Sequence, residues 1–103
     1  MDITKKEVIG SKLFENLDVP AIYEYGFATF GLKLADGFYF EILSQVRLLE
    51  TQYLMHPECR HLETKTQKYR NIILGSYLII YRITANQIQV LRAFHGRDRK
   101  SVV

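Results

Sequence analysis

Residues 69–99 read YRNIILGSYLIIYRITANQIQVLRAFHGRDR, and this stretch decides the fold. Two short polar dipeptides, Gly75-Ser76 and Ala85-Asn86, interrupt segments that are otherwise rich in β-branched and aromatic residues. Because connections of this length join antiparallel neighbours, the pattern predicts a three-stranded meander. Its strands are expected at 69–74, 77–83 and 87–94.

Two-residue turns would pair Ile72 with Ile79 and Ile79 with Arg92, and alternation would then sort the side chains onto two faces. The bulkier face, which we expect helices to cover, carries Arg70, Ile72, Leu74, Tyr77, Ile79, Tyr81, Ile88, Val90, Arg92 and Phe94. The other face, which we expect to be the working surface, carries Tyr69, Asn71, Ile73, Leu78, Ile80, Arg82, Gln89, Leu91 and Ala93.

The composition indicates a single domain over residues 1–103, since 48% hydrophobic residues supply one modest core. A formal net charge of +3 permits an acidic partner without requiring nucleic acid. The one cysteine, Cys59, excludes an internal disulfide, and no leader-like or membrane-length apolar segment is visible. We therefore expect a cytoplasmic protein that does not contact the membrane.

The N-terminal third predicts a weak edge strand followed by a helix. The strand is expected at Val8-Ile9, with Ser11 as the N-cap of a helix that continues to residue 30. Pro20 either kinks this helix or lies in the first turn of a fresh helix capped by Asp18, and we favour the second interpretation. The apolar face is expected to contain Phe14, Leu17, Ala21, Tyr25 and Ala28.

A second helix is expected after Gly31, which would be a left-handed C-cap, so that the two helices form a hairpin. Its apolar stripe comprises Ala35, Phe38, Tyr39, Ile42, Val46, Leu49 and Tyr53. Phe40 falls on the opposite, polar side and is either an ordinary exposed side chain or a partner contact. His56-Pro57 is expected to end the helix, and residues 57–68 to form a loop.

Two groups of polar residues are candidate sites. His56, Cys59 and His61 are zinc-ligand types, but no second pair follows except the distant His95, so we expect no metal site. There is no glycine-rich phosphate cradle, and we expect no cofactor. The basic residues of the tail, His95, Arg97, Arg99 and Lys100, follow the last strand and could contact phosphates or carboxylates, or could be a solvated terminus.

The order of these elements resembles the ParE/RelE superfamily of toxins from bacterial toxin–antitoxin systems. Within it the chain is most similar to the ParE branch, whose members are often labelled plasmid stabilisation proteins. The resemblance covers roughly residues 11–99 and rests on short motifs in the right order. They are Ile22-Tyr23-Glu24-Tyr25, Phe30-Gly31, Pro57, Tyr69-Arg70, Gly75-Ser76-Tyr77, Tyr81-Arg82 and His95-Gly96-Arg97.

The resemblance implies an α+β fold in which an N-terminal helical hairpin packs on a small antiparallel sheet that ends in a three-stranded meander. It also implies a type II toxin that a cognate antitoxin protein binds and neutralises, so a hetero-oligomer is expected. ParE-type members inhibit DNA gyrase, whereas RelE-type members cleave messenger RNA on the ribosome. RelE-type toxins place an arginine where Leu78 follows Tyr77, and they use a tyrosine in the C-terminal segment that 101–103 lack.

Leu78 therefore favours a gyrase-binding toxin without catalytic residues. In the alternative, a ribosome-dependent endoribonuclease, the available polar set is Arg70, Arg82, His95 and Arg97. For the favoured function we expect target contacts at His95, Arg97, Arg99, Lys100 and Phe40. The antitoxin is expected to cover the apolar patch formed by Ile73, Leu78, Ile80 and Leu91.

Overall fold

The computed structural model describes residues 4–57 and 69–95. Several predictions fall outside these residues, namely the loop that follows Pro57 and the roles of Cys59, His61, Arg97, Arg99 and Lys100. The elements are β1 Glu7–Gly10, a π-helical segment Phe14–Asp18, α1 Val19–Phe30, α2 Leu32–Gln52, β2 Tyr69–Leu74, β3 Tyr77–Ile83 and β4 Gln87–His95.

The four strands form one sheet in the order β1-β4-β3-β2. The predicted meander is confirmed, because β2 pairs with β3 and β3 with β4 in antiparallel fashion. The N-terminal edge strand is also present, but it runs parallel to β4, so the sheet is mixed and not wholly antiparallel. A helical hairpin on a small sheet gives the predicted α+β fold.

The core lies between α2 and the sheet. The predicted stripe of α2 is confirmed, since Ala35, Ile42, Leu49 and Tyr53 are buried. Most side chains on the helix-facing side of the sheet are also buried, and the Tyr81 hydroxyl donates to the Tyr53 carbonyl at 2.6 Å. The regular helix ends at Gln52, earlier than the predicted end at His56-Pro57.

The first helix differs from its prediction at Asp18, which does not cap a new helix. Its φ of −68° and ψ of −50° are helical, and its side chain makes no capping hydrogen bond. The chain instead passes through a π turn, in which the Val19 N–H donates to the Phe14 carbonyl, and Pro20 follows in the first turn of α1. A π turn contains one residue more than an α-helical turn. Pro20 is tolerated directly after it, because proline has no N–H that would need a partner in the first turn of α1.

The extra residue rotates the helix, and the predicted apolar face is therefore wrong beyond Phe14. Four of its members, Leu17, Ala21, Tyr25 and Ala28, are exposed, while the buried positions are Phe14, Asp18, Val19 and Ile22. The cap itself is confirmed, since the Phe14 N–H donates to Ser11 Oγ at 3.0 Å.

Gly31 connects the two helices with φ 92° and ψ 172°. Its φ is positive, as predicted, but its ψ places it outside the left-handed helical region. Glycine reaches this conformation at little cost because it has no Cβ. The hairpin can therefore reverse in one residue.

A β-bulge changes the predicted register in β4. Ile72 pairs with Ile79 as predicted, but Ile79 pairs with Ala93 and not with Arg92. The register shifts because Ile80 faces Arg92 while Tyr81 faces Val90, which leaves Leu91 as an extra residue. Beyond Leu91 the two faces are exchanged. Ala93 therefore joins the core, whereas Arg92 is exposed and Phe94 is only partly buried.

Among the described residues, neither helix combines the length and the apolar character that crossing a bilayer requires.

Candidate partner-binding surface

The predicted antitoxin patch is not an open surface. Leu78 and Ile80 are only 5% and 1% exposed, whereas Ile73 is 61% exposed. Leu91 is half-buried. Two of the four side chains have thus already lost their contact with water within the chain, and the expectation of a bare contiguous patch is wrong at Leu78 and Ile80. Ile73 remains available to a partner.

The residues proposed for the ribonuclease alternative do not come together in the described part of the chain. Arg82 pairs with Tyr69 at one end of the meander, and His95 pairs with Tyr77 at the other. Tyr77 and Arg82 are five positions apart along β3, which corresponds to about 17 Å. Arg70 lies on the strand next to Arg82, where it pairs with Tyr81. Because side chains alternate along a strand, Arg70 and Arg82 are on opposite faces of the sheet. Arg97 is outside the described residues.

Arg70 has a local structural partner. Its Nη1 donates to the His56 carbonyl at 2.6 Å, just beyond the end of α2. The His56 ring lies edge-on to Tyr81 at 6.1 Å between centroids. Burial, and secondarily the positive charge of Arg70, lowers the pKa of His56. His56 is thus engaged with the fold, and no group of three potential metal ligands occurs among the residues that the structure describes.

A largely apolar concave surface lies between the helical hairpin and one end of the sheet. We call it the hairpin groove. It has a volume of about 410 Å³ and opens beside the β2–β3 turn and the last residue of β4. Its lining residues are Val19, Ile22, Tyr23, Tyr25, Gly26, Phe30, Leu34, Ala35, Phe38, Tyr39, Ile42, Ser76, Tyr77 and His95.

Aromatic contacts build both walls of the hairpin groove. On the sheet side, the Tyr77 ring contacts Phe38 at 5.4 Å and His95 at 5.1 Å between centroids. On the helix side, the Tyr23 hydroxyl donates to the Asp36 carboxylate at 2.6 Å and links α1 to α2. That hydrogen bond to a carboxylate is the main reason why the pKa of Tyr23 is raised.

Large apolar side chains are exposed around the turn of the hairpin, on the rim of the groove and beside it. Phe30 and Leu34 line the groove, and Phe27 and Leu32 are neighbouring exposed residues. A concave apolar pocket with exposed aromatic and aliphatic edges is typical of the sites that anchor a partner protein. This surface was not predicted from the sequence, although the apolar run FATFGLKL at 27–34 indicates it.

The described members of the predicted target-binding set are separated. His95 lies on the wall of the hairpin groove. Phe40 is 63% exposed, as expected, but it lines a different concavity together with Glu15, Glu24 and Asp36. His95 and Phe40 thus line different concavities, and their contact with a target stays a prediction.

An ion pair between the buried Asp18 and the exposed Arg92, near this end of the sheet, was also not predicted from the sequence. Asp18 accepts hydrogen bonds from Arg92 Nε at 2.8 Å, from Arg92 Nη2 at 3.0 Å and from the Ala93 N–H at 2.8 Å. The hydrogen bond to Asp18 raises the pKa of Arg92. No local sequence pattern predicts this ion pair, because its members are 74 residues apart in the sequence.

Comparison with known proteins gives two findings. The profile of a family described as "ParE toxin of type II toxin-antitoxin system, parDE" matches residues 16–99. A chain of the structure described as "Chromosomal ParDE TA system from P. aeruginosa" superposes with a TM-score of 0.72 at 20% identity. The match covers 89% of this chain and 97% of that chain, and at such low identity it supports the fold alone. No curated protein sequence matches significantly.

Proposed function

Because the chain belongs to the ParE toxin family of type II toxin–antitoxin modules, we propose that it inhibits DNA gyrase by binding and that a cognate antitoxin neutralises it. The toxin would act in the cytoplasm, where it would form a hetero-oligomer with its antitoxin. This function requires neither a cofactor nor a catalytic group.

One observation carries the choice of binding over catalysis. Cleavage of a phosphodiester requires a group that activates the nucleophile close to cations that stabilise the developing charge. Here Arg82 and His95 belong to opposite ends of the meander, and Arg70 faces the other side of the sheet from Arg82. Leu78, where RelE-type toxins carry an arginine, supplies no polar group.

The target contact is proposed at the end of β4. The strand delivers His95 to the edge of the fold, and Arg97, Arg99 and Lys100 follow it directly in the sequence. A cluster of positive charge beside a rigid strand favours an acidic or phosphate-bearing surface of the target. Phe40 stays a separate proposed contact, since it is exposed on another surface.

For the antitoxin we propose the hairpin groove, together with Ile73. The groove is apolar and concave, and its rim residues Phe30 and Leu34 are exposed. An apolar side chain from a segment that folds on binding would fill it and displace water. The chain already buries Leu78, Ile80 and Leu91 wholly or in part. They would therefore support the interface from within the fold and would not be its main contacts.

The experiment that tests the proposal compares two assays on the purified toxin. Inhibition of gyrase-catalysed supercoiling that antitoxin reverses, with no effect on a reconstituted translation reaction, is the expected result. Antitoxin-sensitive arrest of translation with codon-specific cuts in the ribosomal A site would reject it in favour of the ribosome and messenger RNA as targets. The variant Arg82→Gln is a control. It should lower RNA cleavage if the chain is a ribonuclease, and it should leave the inhibition of gyrase unchanged.

A further inference from the structure

Three segments of the N-terminal region cover the outer edge of β4 in succession. Strand β1 pairs with residues 87–90. The Ser11 N–H then donates to the Val90 carbonyl at 2.8 Å, and Ser11 Oγ donates to the Leu91 carbonyl at 2.6 Å. Finally the Asp18 carboxylate accepts the Ala93 N–H at 2.8 Å. Of these hydrogen bonds, the one to Asp18 lies nearest to the end of the strand.

Asp18 is well suited to hold the Ala93 amide at the end of β4. It is 6% exposed, and both its oxygens accept hydrogen bonds from Arg92 or Ala93. A buried carboxylate needs such partners, because burial without them is costly. The π turn presents Asp18 to the strand, since it moves this residue to the buried side of the helix.

The bulge that Asp18 adjoins decides which face His95 occupies. Side chains alternate along a strand, so Ala93 and His95 share a face. With Leu91 as the extra residue, that face is the one covered by helices, and the His95 ring contacts Tyr77. Without the extra residue, His95 would lie on the opposite face.

We infer that Asp18 is a positioning residue that fixes the bulge at Leu91 and thereby sets the face of the sheet on which His95 lies. Ser11 holds the carbonyl of the bulged residue, and Asp18 holds the amide two residues later. The functional consequence rests on the proposed function, since it matters only if His95 contacts the target.

The first test measures the geometry directly by nuclear magnetic resonance on the full chain. In Asp18→Ala, we expect loss of the nuclear Overhauser contacts between the rings of His95 and Tyr77, and faster hydrogen exchange at the Ala93 amide. Asp18→Asn should restore both, because its side-chain oxygen can still accept the Ala93 N–H. Leu49→Val, which removes a buried methylene from α2, should leave both unchanged.

Ring contacts that persist in Asp18→Ala would overturn the inference, and so would an equal loss in Leu49→Val. If Asp18→Ala does not fold, the double variant Asp18→Val with Arg92→Met answers the same question. It removes the acceptor without leaving an unpaired charge in the protein interior. The same loss of ring contact is expected there, and retention would overturn the inference.

The second test separates positioning from target binding. The concentration of toxin that half-inhibits gyrase should rise ~tenfold in Asp18→Ala, the ratio for a lost contact of about 1.4 kcal/mol, and return in Asp18→Asn. Loss of the ring contact with unchanged inhibition of gyrase would leave the positioning role standing and would contradict the proposed target contact at His95. An inhibition that falls while the ring contact is retained would overturn the positioning role.

Discussion

The two helices of the hairpin have similar apolar periodicity, yet only one of them buries the face that its periodicity predicts. In α2 the predicted stripe from Ala35 to Tyr53 is buried wholly or in part. In the first helix, Leu17 and Tyr25 of the predicted face are exposed, and a carboxylate is buried in their place. The difference shows that periodicity determines a buried face only where the helix is regular and no distant group competes for its side chains.

The largest expected effect is a difference in the free energy of unfolding when one leucine in each helix is truncated to alanine. Leu49→Ala in α2 removes a fully buried side chain and should lower the free energy of unfolding by about 2–5 kcal/mol. Leu17→Ala, in the predicted but exposed face of the first helix, should change it by no more than about 0.5 kcal/mol. Urea denaturation of both variants makes the measurement. A large loss in Leu17→Ala would restore the face predicted from periodicity.

The physical origin of the difference limits what the sequence can predict. The strands at 69–74 and 77–83 were predicted to the residue, because their β-branched character and short turns are local properties. The π turn and the bulge at Leu91 have no such local signal. Each adds one residue to a repeat, and each is held by contacts between segments more than 70 residues apart.

The same limit applies to the candidate site. The exposure of Phe40 could be predicted, since it depends on the regular period of α2. The burial of Leu78 and Ile80 could not, because alternation gives the face of a side chain but not what covers that face. The hairpin groove depends on how the hairpin sits on the sheet, which no single element encodes.

A second prediction compares two exposed leucines at antitoxin binding. Leu34 lines the hairpin groove and is 62% exposed, whereas Leu17 is 53% exposed and does not line it. Leu34→Glu should weaken antitoxin binding roughly thirtyfold, about 2 kcal/mol, because a partner would have to desolvate the new carboxylate. Isothermal titration calorimetry measures the effect. Leu17→Glu is the matched control, and equal losses in both variants would remove the groove from the interface.

A third prediction concerns the ion pair that holds the first helix to β4. Arg92→Gln leaves the Asp18 carboxylate without its charged partner and should lower the free energy of unfolding by about 1–3 kcal/mol. The lower end is expected because the Arg92 side chain is 45% exposed, and water screens the interaction. Arg47→Gln, on the exposed outer face of α2, is the control and should have no measurable effect in the same denaturation experiment.

The smallest effect is a pH dependence at the end of α2. Burial lowers the pKa of His56 below its ordinary value, so at mildly acidic pH the unfolded chain binds more protons than the folded chain. Stability should therefore decrease as pH falls below about 6.5 toward the folded-state pKa. In His56→Gln this contribution disappears, and the melting temperature should fall less between pH 7.5 and mildly acidic pH than it does in the wild type. Identical pH profiles would show that His56 titrates equally in both states and that its contact with Arg70 and Tyr81 does not disfavour its charged form.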